Sequence, residues 1–82
     1  MNNKILTSSK GRTIIINVDS NEYIWYAVPS RLGACSFKVG GFDGGFTKIQ
    51  TISHTNASGY TENYDVYRSD NASLGSTTVT VS

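Results

Sequence analysis

A chain of 82 residues holds one domain, and a domain this small buries only about 60% of its unfolded surface, so its own core leaves a thin margin of stability. The usual reinforcements are excluded: Cys35 is the only cysteine, which rules out an internal disulfide, and His54 is the only histidine, with no Cys or His near it to complete a zinc site. Seven Lys and Arg against six Asp and Glu give a net charge of +1 with no run of either sign, so the clustered basic face of a nucleic-acid binder is missing too. By elimination, self-association or attachment to a larger protein is the expected support. No stretch approaches the roughly 20 apolar residues of a membrane span, and Met1 to Thr7 lacks the apolar core of a signal peptide. The sequence therefore predicts neither membrane insertion nor a leader.

Strand signals recur along the chain, and no segment has helical periodicity over a helix length. Ile5-Leu6-Thr7 precedes a turn-like Ser8-Ser9-Lys10-Gly11, so residues 1–11 read as a peripheral N-terminal strand or linker. Thr13 to Val18 is dense in β-branched residues, which suit a pleated backbone, with Ile14, Ile16 and Val18 on one face. After the turn cluster Asp19-Ser20-Asn21, Tyr23 to Val28 is apolar or aromatic on both faces, as a central strand is. Pro29 closes it, and Ser30-Arg31-Leu32-Gly33 makes a compact connection of one helical turn ended by Gly33.

Cys35 to Val39 alternates, with Cys35, Phe37 and Val39 inward. The bend Gly40-Gly41-Phe42-Asp43-Gly44-Gly45-Phe46 leads into a strand over Thr47 to His54. Asn56-Ala57-Ser58-Gly59 turns the chain into a strand over Tyr60 to Arg68, and Asp70 to Gly75 connects to the last strand, Thr77 to Val81. Leu32-Gly33 and Leu74-Gly75 recur at a spacing of 42, in both cases between a strand and its successor, as a leucine plugging one end of the core beside a glycine that permits the reversal. These elements predict one all-β domain over 1–82: a compact antiparallel β-sandwich or small barrel of about six to seven short strands. The connections are too short for the crossover helices of a parallel sheet, so antiparallel pairing is expected.

Catalytic chemistry finds little footing. A phosphate-cradling reading of the glycine-rich bend needs a helix after it, and here a strand follows; four glycines supplying positive φ or close backbone approach, with Phe42 and Phe46 as packing anchors in the core or against a neighbouring chain, fit better. Cys35 as a nucleophile needs His54 as base, yet its inward position suits a small buried hydrophobe. No Gly-x-Ser-x-Gly elbow is present, and Glu62 and Asp65 fall on opposite faces of one strand. Asp19, Asp43, Glu62, Asp65 and Asp70 have no metal-loop spacing. The sequence thus predicts no enzyme, no cofactor and no metal. Asn56-Ala57-Ser58 and Asn71-Ala72-Ser73 match a glycosylation pattern but read better as turns.

The aromatic content is more informative: one Trp, five Tyr and three Phe. Rings of this kind supply core and subunit contacts, and flat rings with outward hydroxyls also suit sugar faces. Trp25, Tyr26, Phe42, Phe46, Tyr60 and Tyr64 are the candidate interface or glycan contacts. A charged fraction of 16%, against the usual ~25%, with Ser, Thr, Asn and Gly in its place, leans toward extracellular or virion β-proteins.

The run Tyr26-Ala27-Val28-Pro29-Ser30-Arg31-Leu32-Gly33, then Phe37 through Phe46 with its doubled Gly-Gly-Phe, is similar to a small β-rich domain of tailed-bacteriophage proteins. The similarity continues through Thr51 to Tyr64, Val66 to Asn71, Leu74-Gly75 and the final Thr/Val strand, covering roughly residues 12 to 82. In that family the domain sits at the C-terminal end of longer fibre-like or other virion proteins, and no catalytic residues belong to its pattern. The resemblance implies a virion structural role at a fibre tip, tail or decoration site, in a protein made in the host cytoplasm. It implies a homo-oligomer, a trimer among the fitting arrangements, or attachment to other virion proteins. Two alternatives accompany it: an adhesive domain for a host-surface glycan, and a small phage-encoded inhibitor of a host protein.

Overall fold

A computed structural model describes residues 2–7, 12–17, 22–72 and 76–82. The described residues form β1 (Asn2–Thr7), β2 (Arg12–Asn17), β3 (Glu22–Pro29), a single 3₁₀ turn (Ser30–Leu32), β4 (Phe37–Val39), β5 (Phe42–Asp43), β6 (Phe46–Thr55), β7 (Thr61–Ser69) and β8 (Ser76–Val81). The protein is all-β. Two four-stranded sheets hold these strands, the first in the order β1-β3-β7-β6 and the second in the order β2-β8-β4-β5.

The expected antiparallel pairing fails at one place. β1 runs parallel to β3, with Lys4 opposite Ile24 and Leu6 opposite Tyr26. A parallel pair needs a crossover, and β2 provides it by leaving for the second sheet between the two. A strand can therefore do what the sequence reading reserved for a helix. The N-terminal segment, expected as a peripheral strand or linker, is the edge strand of the first sheet over Asn2–Thr7.

Alternation along β3 sends Ile24, Tyr26 and Val28 into the core. Tyr67 on β7 joins them from the same sheet, and Phe37, Val79 and Val81 meet them from the second. Phe37 is the hub: its ring stacks on Phe46 at 4.4 Å, lies edge-on to Tyr26 at 5.6 Å and is tilted against Tyr67 at 5.0 Å. Cys35, Val39 and Phe46 pack around this cluster, as the inward parity of 35, 37 and 39 predicts. Buried Ser69 completes the β3–β7 ladder with its side chain. Its hydroxyl accepts from Ile24 N–H at 2.9 Å and donates to the Asn71 carbonyl at 2.9 Å, so both the hydroxyl and that N–H are satisfied.

The glycine-rich bend holds an element the sequence reading missed. Gly40 and Gly41 both have positive φ, +58° and +86°, which closes a two-residue hairpin with Val39 opposite Phe42. Gly44 and Gly45 also have positive φ, and the Gly45 carbonyl accepts from Asp70 N–H at 2.9 Å. This bend returns the chain to the first sheet. Leu32, expected to plug the core, is exposed; Leu74-Gly75 lies outside the described residues.

Candidate functional site

Since Ile24, Tyr26 and Val28 point inward, Tyr23, Trp25 and Ala27 lie on the outer face of the first sheet. The β3–β7 register sets Arg68 beside Trp25, Val66 beside Ala27 and Tyr64 beside Pro29 on that face. From β6, Thr47 aligns with Arg68, Gln50 with Val66 and Ile52 with Tyr64. The Arg68 guanidinium carbon stands 4.5 Å from the Tyr23 ring centroid and 5.9 Å from that of Trp25, a stack worth about 0.5–2 kcal/mol depending on its access to water. Its Nε is buried and has no hydrogen-bond partner among the described residues.

The second feature is the β6–β7 hairpin. Ten residues of β6 span about 34 Å, against a longest molecular dimension of 39 Å. Every β6 residue after Phe46 is exposed. The core-side positions of this hairpin carry a polar ladder in place of apolar packing. Thr51 donates to Asp65 at 3.0 Å, Ser53 to Asn63 at 2.6 Å, and the Thr55 and Thr61 hydroxyls bond each other at 2.7 Å. Its other side carries Ile52, 42% exposed, beside half-buried Tyr64. The loop holds its shape through the Asn56 side-chain oxygen, which accepts from Ser58 N–H, Ser58 Oγ and Tyr60 N–H.

β6 ends the first sheet, and among the described residues no strand pairs with its other edge. Natural edges are guarded against stray pairing by charges, prolines and bulges. The first half of β6 has such guards: a register shift between Lys48 and Gln50 leaves Ile49 in a bulge, and Lys48 is charged. The second half, Gln50 to Thr55, has no bulge, no proline and no lysine.

Asp65 anchors the base of the hairpin. It is buried, and its Oδ1 accepts from Ser30 Oγ at 2.7 Å and Thr51 Oγ1 at 3.0 Å, with Lys48 Nζ at 3.4 Å. The Ser30 hydrogen bond is the main reason its carboxyl titrates below the ordinary value; burial opposes the shift, and Thr51 and Lys48 reinforce it. Arg31 and Glu62 tie the 3₁₀ turn to β7 at 2.8 Å.

The six sequence candidates do not form one site. Trp25 and Tyr64 share the outer face of the first sheet. Tyr26 needs correction as a contact residue: it is 1% exposed and packs on Phe37, because its parity on β3 is that of the core. Phe46 is half-buried against Phe37, whereas Phe42, 79% exposed, sits at the β4–β5 hairpin with no part in that core. Tyr60 is exposed at the β6–β7 loop. Cys35 packs at the core, where its N–H bonds the Tyr67 hydroxyl at 3.1 Å. His54 pairs with Glu62, five residues along β7 from Tyr67 or about 17 Å away along the strand. Sequence reasoning passed over Arg68 and Ile52; the alternation Tyr64-Val66-Arg68 on one strand face was the signal for the first.

The chain matches no family model, no curated protein and no solved structure.

Proposed function

We propose that the chain is a structural module of a bacteriophage particle, at a fibre tip, tail or decoration site, and that it works by association rather than catalysis. The observation that carries this reading is the exposed strand β6, whose outer edge has no partner among the described residues, extended along most of the molecule and unguarded over Gln50–Thr55. An unpaired row of backbone N–H and C=O groups is a template for another chain. The similarity of the doubled Gly-Gly-Phe run to phage virion domains supplies the setting. Mass spectrometry of purified particles tests the reading. The chain is expected in stoichiometric amount after stringent washing, and its absence from particles while it is abundant in the lysate sinks the proposal.

A host-surface glycan is the second reading, favoured by the Tyr23–Arg68–Trp25 stack on an outer sheet face. Rings suit the apolar faces of sugars and a guanidinium suits a sugar carboxylate. Host adsorption unchanged by Trp25→Ala and Arg68→Gln, each with its fold intact, removes that reading.

A further inference from the structure

We infer that the occupant of the β6 edge is β6 of a second copy, paired antiparallel about a twofold axis at Ile52. This rests on the association part of the proposal above and names its partner and register. An open strand edge accepts an extended segment, because only a strand meets its alternating N–H and C=O groups in register. The segment free to pair is Gln50–Thr55, bounded on one side by the bulge at Ile49 and on the other by the end of the strand.

A twofold axis perpendicular to the sheet keeps like faces together, so each candidate register centres on one residue. Centring on Gln50 or Thr51 draws Lys48 and the Ile49 bulge into the ladder. Centring on Ser53 or His54 sets Ile52 against a histidine or against Asn56 of the loop. Centring on Ile52 keeps Lys48 outside the ladder, keeps Ile52 off the histidine and the loop, and brings the Ile49 bulge only against the partner's Thr55, the last residue of the strand. Ile52 then meets the partner's Ile52, Gln50 meets the partner's His54, and Thr51 meets the partner's Ser53.

On the outer face this places Tyr64, Ile52, the partner's Ile52 and the partner's Tyr64 in one row, since Ile52 and Tyr64 are already opposite within each chain. Aromatic and β-branched neighbours across strands are the favourable kind. No like charges oppose, because Lys48 lies outside the paired segment and His54 faces an amide. A ladder of five or so residues falls well short of a standard interface, usually about 1,600 Å², so pairing in solution is weak. In a multi-copy particle the effective concentration is high and the same ladder is populated.

The test is sedimentation over a concentration series to about 1 mM, joined to disulfide mapping in a Cys35→Ser background. The chain is expected to pass from monomer to dimer. Monomer throughout, or a trimer, overturns the inference. Directly opposed antiparallel residues have Cα atoms about 4.5–5.5 Å apart, within disulfide reach, whereas Thr51 and the partner's Thr51 are offset by two residues and lie beyond the ~7 Å limit. Ile52→Cys is therefore expected to oxidise to covalent dimer at least tenfold faster than Thr51→Cys; equal or reversed rates overturn the register. Ile52→Lys, which sets two ammonium groups together at the axis, is expected to stay monomeric with an unchanged circular dichroism spectrum, and a persisting dimer overturns the inference. A monomeric chain that is still found in purified particles defeats the pairing and leaves the virion reading standing; a dimer absent from particles does the reverse.

Discussion

Gly45 has a φ of +87°, and a Cβ built there would stand 2.6 Å from Val39 Cγ2, closer than packed atoms tolerate. Gly41 has almost the same φ, +86°, but open space where a Cβ would go. Replacing each by Ala separates the two costs. Gly41→Ala is expected to lose about 1–2 kcal/mol from the backbone conformation alone. Gly45→Ala is expected to lose about 1–3 kcal/mol more from overpacking, and urea unfolding of the two variants measures the difference. Asp65 carries a pH signature. Its folded carboxyl titrates below the ordinary 3.8, chiefly through Ser30, so the stability it contributes is complete above that value and is lost as pH falls through the lower, folded value. Native protein should lose thermal stability as pH drops below about 4, and Asp65→Asn should be less stable at neutral pH but flatter across the acid range. A variant as steep as the native chain would assign the acid response to other carboxylates.

The β4–β5 hairpin sets two phenylalanines to different tasks. Phe37 joins the sheets through Tyr26, Phe46 and Tyr67, so Phe37→Ala is expected to cost about 3–5 kcal/mol, a large share of the roughly 5–15 kcal/mol of a typical domain. Phe42 is mostly exposed, and Phe42→Ala should leave chemical unfolding within about 0.5 kcal/mol of native; a large loss would mean the ring packs where the structure leaves it open. The parity of Cys35, Phe37 and Val39 was legible in the sequence because alternation survives any sheet arrangement. The same holds for β3 as a central strand and for the 3₁₀ turn ended by Gly33 at φ +85°. Pairing partners were not legible, because strand sequence fixes which face is apolar and leaves the neighbour open. That is why the parallel β1–β3 ladder and the short β5 strand are not legible in the sequence; Tyr26, by contrast, shares the parity of Ile24 and Val28, and that alone places it in the core. The open edge of β6 is not legible either: an edge is a property of sheet order.

At the scale of the molecule, the proposed pairing through the long exposed hairpin would couple stability to concentration. If copies pair through β6, mass action raises the melting temperature with protein concentration. The native chain is expected to show that rise and Ile52→Lys to show none, by scanning calorimetry across a hundredfold dilution series; identical, flat behaviour in both would separate the hairpin from association. The order of strands has a kinetic consequence as well. β2 and β4 both pair with β8, which follows the seven other described strands, while the β6–β7 hairpin closes locally. A chain emerging from the ribosome can therefore fold β6 onto β7 early, yet its second sheet has no centre until β8 arrives. Such long-range closure places folding on the order of milliseconds to seconds. During that wait the apolar side chains of β3 and β4 lack their covering strand, and the nascent chain is exposed to chaperones and proteases until β8 is made.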